Sequence, residues 1–197
     1  LSLPHVLGIG EADLKKISAD PYLSPPKGKQ VRLAPPTGTV LKVGLIWAGK
    51  LNPRDRSCPL ETLLPILSAK GAAFYSFQVD DRRADIEKIG VTAFVTDLGE
   101  HIHDFGDSAA LMQAMDLIIS IDSAPAHLAG AMGIPVWMLQ LYTTDWRWLV
   151  DRADSPWYPS MRIYRQKMPA DWSSPVEKLS ADFSTFLQAR KNAPGAN

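Results

Sequence analysis

Cysteine is nearly missing from this chain. The lone Cys58 has no partner for an internal disulfide, which excludes a small stapled scaffold and fits a reducing compartment. An excess of either charge is missing too: 21 basic residues face 21 acidic ones, so no net positive field exists to collect the phosphates of a nucleic-acid duplex, and any anion must be held locally. No apolar run reaches the roughly 20 residues of a membrane span. The most apolar stretch, Leu117 to Tyr142, is broken by Asp122, His127, Gly130, Gly133 and Pro135. A basic leader ahead of a hydrophobic segment is lacking, so no secretory signal is expected. Neither G-x-G-x-x-G nor G-x-x-x-x-G-K-[ST] occurs, which disfavours a dehydrogenase and a P-loop phosphotransferase. The expectation is a cytoplasmic protein that neither spans a membrane nor binds nucleic acid. The first residue is Leu1, not Met, and a piece of something longer is expected.

What is present is enough to bury a core: 197 residues, 46% hydrophobic and 21% charged, at the scale of one domain with an appendage. Five of the 16 prolines fall between Pro21 and Pro36. Pairs such as Pro25–Pro26 and Pro35–Pro36 remove backbone donors and hold their neighbours extended, so this stretch reads as a linker, with a short helix upstream at Glu11–Ile17. Residues 1–39 are therefore assigned as the tail of a preceding domain plus a proline-rich linker, and 40–197 as the main domain. From Val40 the pattern alternates short apolar runs with amphipathic segments. Strands are expected at Val43–Ala48, Ala73–Gln78, Ala93–Thr96, Leu117–Asp122, Val136–Leu141 and Arg162–Arg165. Helices are expected at Pro59–Ala69, Asp81–Ile89, Asp107–Met115, Pro125–Met132 and Ser174–Ala189, with Asp107 capping the third and Gly71, Gly90 and Gly133 in left-handed turns after others. Runs such as LIISI and VWMLQ suit strands covered on both faces. The fold class is an α/β, Rossmann-like three-layer α/β/α domain with a mostly parallel sheet of about six strands, in which ligands collect at the carboxyl ends of the strands.

Five segments are candidates there. In D-S-A-P-A-H-L-A-G-A-M-G, Asp122 to Gly133, Ser123 suits a helix cap, Pro125 suits the first turn and Gly133 closes the helix. Free amides there, with Ala124 among them, can bind phosphate, and His127 one turn on can donate to the same anion; the alternative is a plain cap and a satisfied core histidine. The loop A-G-K-L-N-P-R-D-R-S-C-P, Ala48 to Pro59, places Lys50, Arg54, Arg56 and Ser57 beside that helix start, either as half of a diphosphate cradle or as a solvated loop balanced by Asp55. The aromatic stretches D-W-R-W, Asp145 to Trp148, and S-P-W-Y-P, Ser155 to Pro159, can stack on a base or sugar, but a plug of the loops against the core is the preferred reading. In D-L-G-E-H-I-H-D-F-G-D, Asp97 to Asp107, two histidines two apart without a cysteine pair do not make a structural metal site, although Asp104 or Asp107 can lie near a ribose. Asp122, Ser123 and His127 do not form a hydrolase triad, for the serine lacks its G-x-S-x-G elbow.

Taken together, V-G-L-I-W-A-G-K-L-N-P-R-D-R-S-C-P-L, F-Y-S-F-Q, D-L-I-I-S-I-D-S-A-P-A-H-L-A-G-A-M-G-I-P-V-W-M-L, D-W-R-W-L and D-S-P-W-Y-P-S-M-R-I-Y-R-Q resemble the carboxyl-terminal half of bacterial heptosyltransferase-like (family 9) glycosyltransferases. The resemblance is to the branch often fused to tetratricopeptide repeats, distantly similar to O-linked N-acetylglucosamine transferase, and runs from Val40 to Ser174; Pro4 to Leu23 resembles the tail of the preceding domain. It implies half of a GT-B fold that binds a UDP- or ADP-linked sugar without a cofactor or metal. The acceptor, whether glycan, lipid-linked saccharide or protein, and the catalytic base are expected from an amino-terminal domain, so the chain alone should bind donor and transfer nothing. The family's D-[ST]-x-x-x-H element falls on Asp122, Ser123 and His127, and its basic residue three before a proline falls on Arg56, an arginine where the transferase relative has lysine. Ala124, followed by Pro125, stands where the heptosyltransferase form has glycine after Asp-Ser/Thr, which points away from heptose. The donor-binding residues implied are Lys50, Arg56, Ser57, Gln78, Asp122, Ser123, Ala124, His127 and Trp146. Alternatives are a non-catalytic GT-B-like interaction module and a nucleotide-sugar epimerase-like enzyme.

Overall fold

The computed structural model describes residues 3–10, 12–14, 20–29, 31–51 and 54–193. Of the helix expected at Glu11–Ile17, residues 12–14 are helical and the others lie outside the described residues. Six strands form one sheet: β1 (Leu41–Ile46), β2 (Ala72–Ser76), β3 (Val95–Asp97), β4 (Leu117–Ile121), β5 (Val136–Gln140) and β6 (Met161–Arg165). All neighbours run parallel in the order β3-β2-β1-β4-β5-β6. This is the doubly wound Rossmann order. The helical elements are α1 (Leu3–Val6), α2 (Leu64–Leu67), α3 (Asp85–Lys88), α4 (Phe105–Met112), α5 (Ala124–Ala131) and α6 (Ser173–Lys191). None of them, among the described residues, is long and apolar enough to cross a membrane.

Strand side chains alternate between faces, and both faces are buried. Leu41, Val43 and Leu45 of β1 join Phe74, Leu117, Ile119 and Trp137 under α6, whose Val176, Leu179, Phe183 and Leu187 complete that layer. Ile46, Tyr75, Ile118, Met138 and Ile163 point the other way, to Leu111 and Met112 of α4 and Ala126 and Ala129 of α5. Gly44 makes this second face possible, since a Cβ there would lie 2.5 Å from Ile118 Cδ1 and 2.8 Å from a carbon of the Phe77 ring. The apolar runs thus sit in a sheet sandwiched by helices, as their composition requires.

The differences from the expected elements have local causes. The helix expected at Pro59–Ala69 splits into a 3-10 segment, Leu60–Leu63, and α2. Pro65 has no N–H to offer Glu61, and Leu64 N donates to Glu61 O instead. The helix expected at Asp81–Ile89 likewise begins as 3-10, Asp81–Ala84, before α3. The cap expected at Asp107 is at Asp104, whose side chain accepts from Asp107 N at 2.7 Å. Asp107 Oδ2 in turn accepts from His103 N at 3.0 Å, so the two aspartates secure the helix start from both sides. β3 lies later than Ala93–Thr96 because Phe94 N and Val95 N both turn back to Val91 O. Gly71, Gly90 and Gly133 do adopt positive φ, at 96°, 72° and 73°.

Residues 20–29 lie against the domain. Tyr22 N and Leu23 N donate to Ala131 O at the end of α5, at 2.9 and 3.1 Å. At the other end Lys29 Nζ donates to Asp107 Oδ1 at 2.7 Å and to both oxygens of Asp104 at 3.3 Å. The Asp107 amide holds the Asp104 carboxyl below its usual pKa, Lys29 does the same for Asp107, and Asp107 holds the Lys29 ammonium above its own.

Candidate functional site at the β1–β4 switch point

Between β1 and β4 the connections leave on opposite sides of the sheet, the point at which doubly wound sheets place a ligand crevice at their carboxyl ends. Two chain segments meet there. The first, following β1, is tied at its base: Cys58 N donates to Trp47 O at 2.8 Å, Gly49 N to Ser57 Oγ at 3.2 Å and Ser57 N to Asp55 Oδ1 at 2.9 Å. Buried Gln78, two residues past β2, braces the same loop, accepting from Ala48 N at 3.2 Å and donating to Ala48 O at 3.0 Å and Asp80 Oδ1 at 2.7 Å. Ser57 and Gln78 are thereby engaged in holding the loop. Lys50 and Arg54 stand exposed, bonded to no described residue.

The second segment follows β4. Ser123, extended at φ −148° and ψ 162°, caps α5, and Pro125 occupies its first turn. The hydroxyl is fully used: Ser120 donates to Ile121 O, so Ser123 donates to Ser120 Oγ at 3.0 Å while accepting from Ala126 N at 3.4 Å. His127 N turns to Ser123 O at 3.3 Å, and Pro125 has no amide hydrogen. Ala124 therefore carries the one amide this first turn leaves open to a ligand, fewer than the sequence suggested.

Side-chain charge meets across the crevice. Arg56 Nη1 lies 3.5 Å from Asp122 Oδ2; the arginine side chain is 39% exposed and the carboxylate 7%. Asp122 holds the guanidinium at the mouth of the crevice while the rest of its fork faces solvent. His127 sits one turn into α5, its ring stacked on buried Trp148 with centroids 5.0 Å apart and planes inclined by 27°. Its Nδ1 is 2.9 Å from the Tyr158 hydroxyl. Burial lowers the imidazole pKa from its ordinary 6.5, against the attraction of Asp122, so the ring is neutral at pH 7. Burial likewise pushes the Tyr158 phenol up.

The remaining aromatics divide. Trp148 is fully buried, Trp157 donates from Nε1 to Arg147 O at 2.6 Å, and Arg147 Nη2 donates to Asp145 Oδ2 at 3.1 Å. Trp146 alone stands out, 47% exposed with its ring edge-on to Trp157. Asp104 and Asp107 pair with Lys29, and Asp104 caps α4. Among the described residues no three of His, Cys, Asp and Glu converge as metal ligands do. The structure thus brings Arg56, Asp122, Ser123, Ala124 and His127 together, with Lys50 on the same loop as Arg56; Trp146 lies in the segment whose Trp148 stacks on His127. Trp148 and Tyr158, the partners of His127, were not singled out by spacing; the sole signal was that both aromatic stretches follow β5.

A doubly wound parallel sheet covered by helices on both faces makes this a Rossmann-like α/β domain, a fold it shares with heptosyltransferase structures. Residues 102–173 match the model of glycosyltransferase family 9 (heptosyltransferase), a stretch that includes Asp122, Ser123, Ala124, His127 and Trp146 and stops short of Lys50, Arg56, Ser57 and Gln78. E. coli ADP-heptose lps heptosyltransferase II is similar in fold, with a TM-score of 0.57 at 14% identity over 79% of this chain and 48% of that one. A family 9 glycosyl transferase from Veillonella parvula superposes with a TM-score of 0.55 at 17% identity, over 76% of this chain and 47% of the other. The chain is also 32% identical over 152 residues to Protein FlbA of Caulobacter vibrioides, covering 74% of this chain and 25% of that protein. It thus spans about half the length of the two solved structures and a quarter of FlbA.

Proposed function

We propose that the chain is the donor-binding domain of a metal-independent glycosyltransferase and that it holds the diphosphate of a UDP- or ADP-sugar between Arg56, the Ala124 amide and His127. The observation that carries this reading is the Arg56–Asp122 pair at 3.5 Å, which parks a multidentate cation at the switch-point crevice beside the start of α5. Transfer displaces the nucleoside diphosphate from the anomeric carbon, and negative charge grows on the departing phosphate. Arg56, with Lys50 nearby, meets that charge by attraction, and neutral His127 by a hydrogen bond from Nε2. Exposed Trp146 offers a face for a base or a sugar ring. Ser57, Gln78, Ser123 and Asp122 shape the cradle without touching phosphate, Asp122 because a carboxylate repels it. We assign the acceptor site and the base to a second Rossmann-like domain of a cytoplasmic, bacterial enzyme, so this chain binds donor and transfers nothing by itself.

Calorimetric titration with UDP- and ADP-sugars tests the assignment. Each charge-assisted hydrogen bond contributes about 1.5–3 kcal/mol, so Arg56→Ala should weaken binding roughly 10- to 150-fold and His127→Ala should also weaken it. Unchanged affinity in both variants rejects the cradle.

A further inference from the structure

We propose that Tyr158 is the positioning residue of this crevice: its hydroxyl donates to His127 Nδ1 and so fixes the imidazole in the tautomer that carries its proton on Nε2. The inference rests on the donor-binding reading for the identity of the ligand, but the tautomer itself can be measured without one.

The geometry points one way. The Tyr158 oxygen and His127 Nδ1 are 2.9 Å apart, and the bond spans 31 positions of sequence. A bare imidazole nitrogen is a better hydrogen-bond acceptor than a phenol oxygen, which favours Tyr158 as donor, and a phenol is a far weaker acid than an imidazolium, so the hydrogen stays on oxygen and Nδ1 accepts. A neutral imidazole has a single N–H, which must then be on Nε2. Nε2 itself bonds to no described residue and is not among the buried polar atoms lacking a partner, so it reaches solvent. The Trp148 face fixes the ring plane.

Tyr158 is itself held at two points. Its ring lies over Gly130, where an added Cβ would come within 2.6 Å of Tyr158 Cγ. Its amide donates to the buried Ser155 hydroxyl at 3.2 Å. Without this phenol, the imidazole is free to exchange tautomers and to turn, and the N–H faces the ligand only part of the time.

The test uses the full chain with 15N-labelled histidine. Nitrogen NMR should show His127 with a bare, hydrogen-bonded Nδ1 and a protonated Nε2, and Tyr158→Phe, which keeps the ring on Gly130, should give an averaged mixture of tautomers. Titration with UDP and ADP should show Tyr158→Phe weakening binding roughly three- to tenfold, the scale of one neutral hydrogen bond, and having no effect when His127 is already alanine. A protonated Nδ1 in the unmodified protein, or the same tautomer in Tyr158→Phe, overturns the proposal. The expected spectra together with no nucleotide binding by any variant would establish the positioning and reject the donor-binding reading instead.

Discussion

Replacing Gly130 by alanine sets two effects of opposite sign against each other. Alanine favours the helix by about 1 kcal/mol over glycine, and Gly130 lies within α5 with no positive φ to protect. The new Cβ, however, would stand 2.6 Å from Tyr158 Cγ and 2.9 Å from each Cδ, where carbon atoms normally keep about 3.5–4.0 Å. The ring must retreat by about 1 Å. Tyr158 is only 8% exposed, so it has little room, and such a shift stretches its 2.9 Å bond to His127 beyond useful range. Overpacking costs about 1–3 kcal/mol and the hydrogen bond about 1 kcal/mol more. Subtracting the propensity gain leaves a loss of about 1–3 kcal/mol, and a loss of about 2 kcal/mol corresponds to a melting point lower by about 4–8 °C at this chain length. Thermal melts of wild type, Gly130→Ala, Tyr158→Ala and the double variant provide the assay. With the ring gone, the second substitution should become stabilising by about 1 kcal/mol. A Gly130→Ala protein as stable as the wild type, or one that loses the same amount in both backgrounds, refutes the steric argument.

Ser123→Ala should reduce stability by about 1 kcal/mol through the lost cap and change UDP affinity by less than about twofold, because the hydroxyl is already committed on both sides; a tenfold loss of affinity with no loss of stability contradicts this. Cys58 is buried and its thiol is pushed up to about 12, so a thiol reagent should leave the native chain untouched near pH 8 and label it only in denaturant. For His127 the sign follows from its lowered pKa: as pH falls below about 6.5 the unfolded chain takes up the proton first, and stability drops until the folded pKa is passed. Urea unfolding at about pH 7.5 and about pH 5.5 should therefore show a larger acid loss in the wild type than in His127→Gln, and equal losses refute the burial argument.

Much of the fold was legible because parallel strands covered on both faces must be apolar nearly throughout, and LIISI and VWMLQ, both fully buried, announce themselves. Sheet order was not legible, since the runs carry no record of their neighbours. Helix type within Leu60–Leu67 was misjudged because an apolar pattern does not register a missing amide until Pro65 is set against the carbonyl of Glu61. Asp104 and Asp107 are interchangeable as cap signals in sequence, and only the extended backbone of Asp104, φ −147°, decides between them.

The crevice was half legible for a different reason. Ser123, Pro125 and Gly133 make a local device, a helix start and stop, and local devices can be read along the chain. Arg56 beside Asp122 is not local, but the doubly wound order forces the first and fourth strands together and therefore brings their exits together. The Tyr158 contact has no such topological guarantee: it depends on α5 lacking a side chain at Gly130, on a loop that returns after β5, and on a histidine whose partner no spacing specifies. A buried carboxylate at the bottom of an anion site looks self-defeating until Arg56 is counted, because a guanidinium can hold Asp122 with one nitrogen and turn its other donors outward. A lysine in that place would have to divide a single ammonium between Asp122 and the incoming phosphate. The cradle proposed here is therefore a property of the Arg56–Asp122 pair, not of either residue alone.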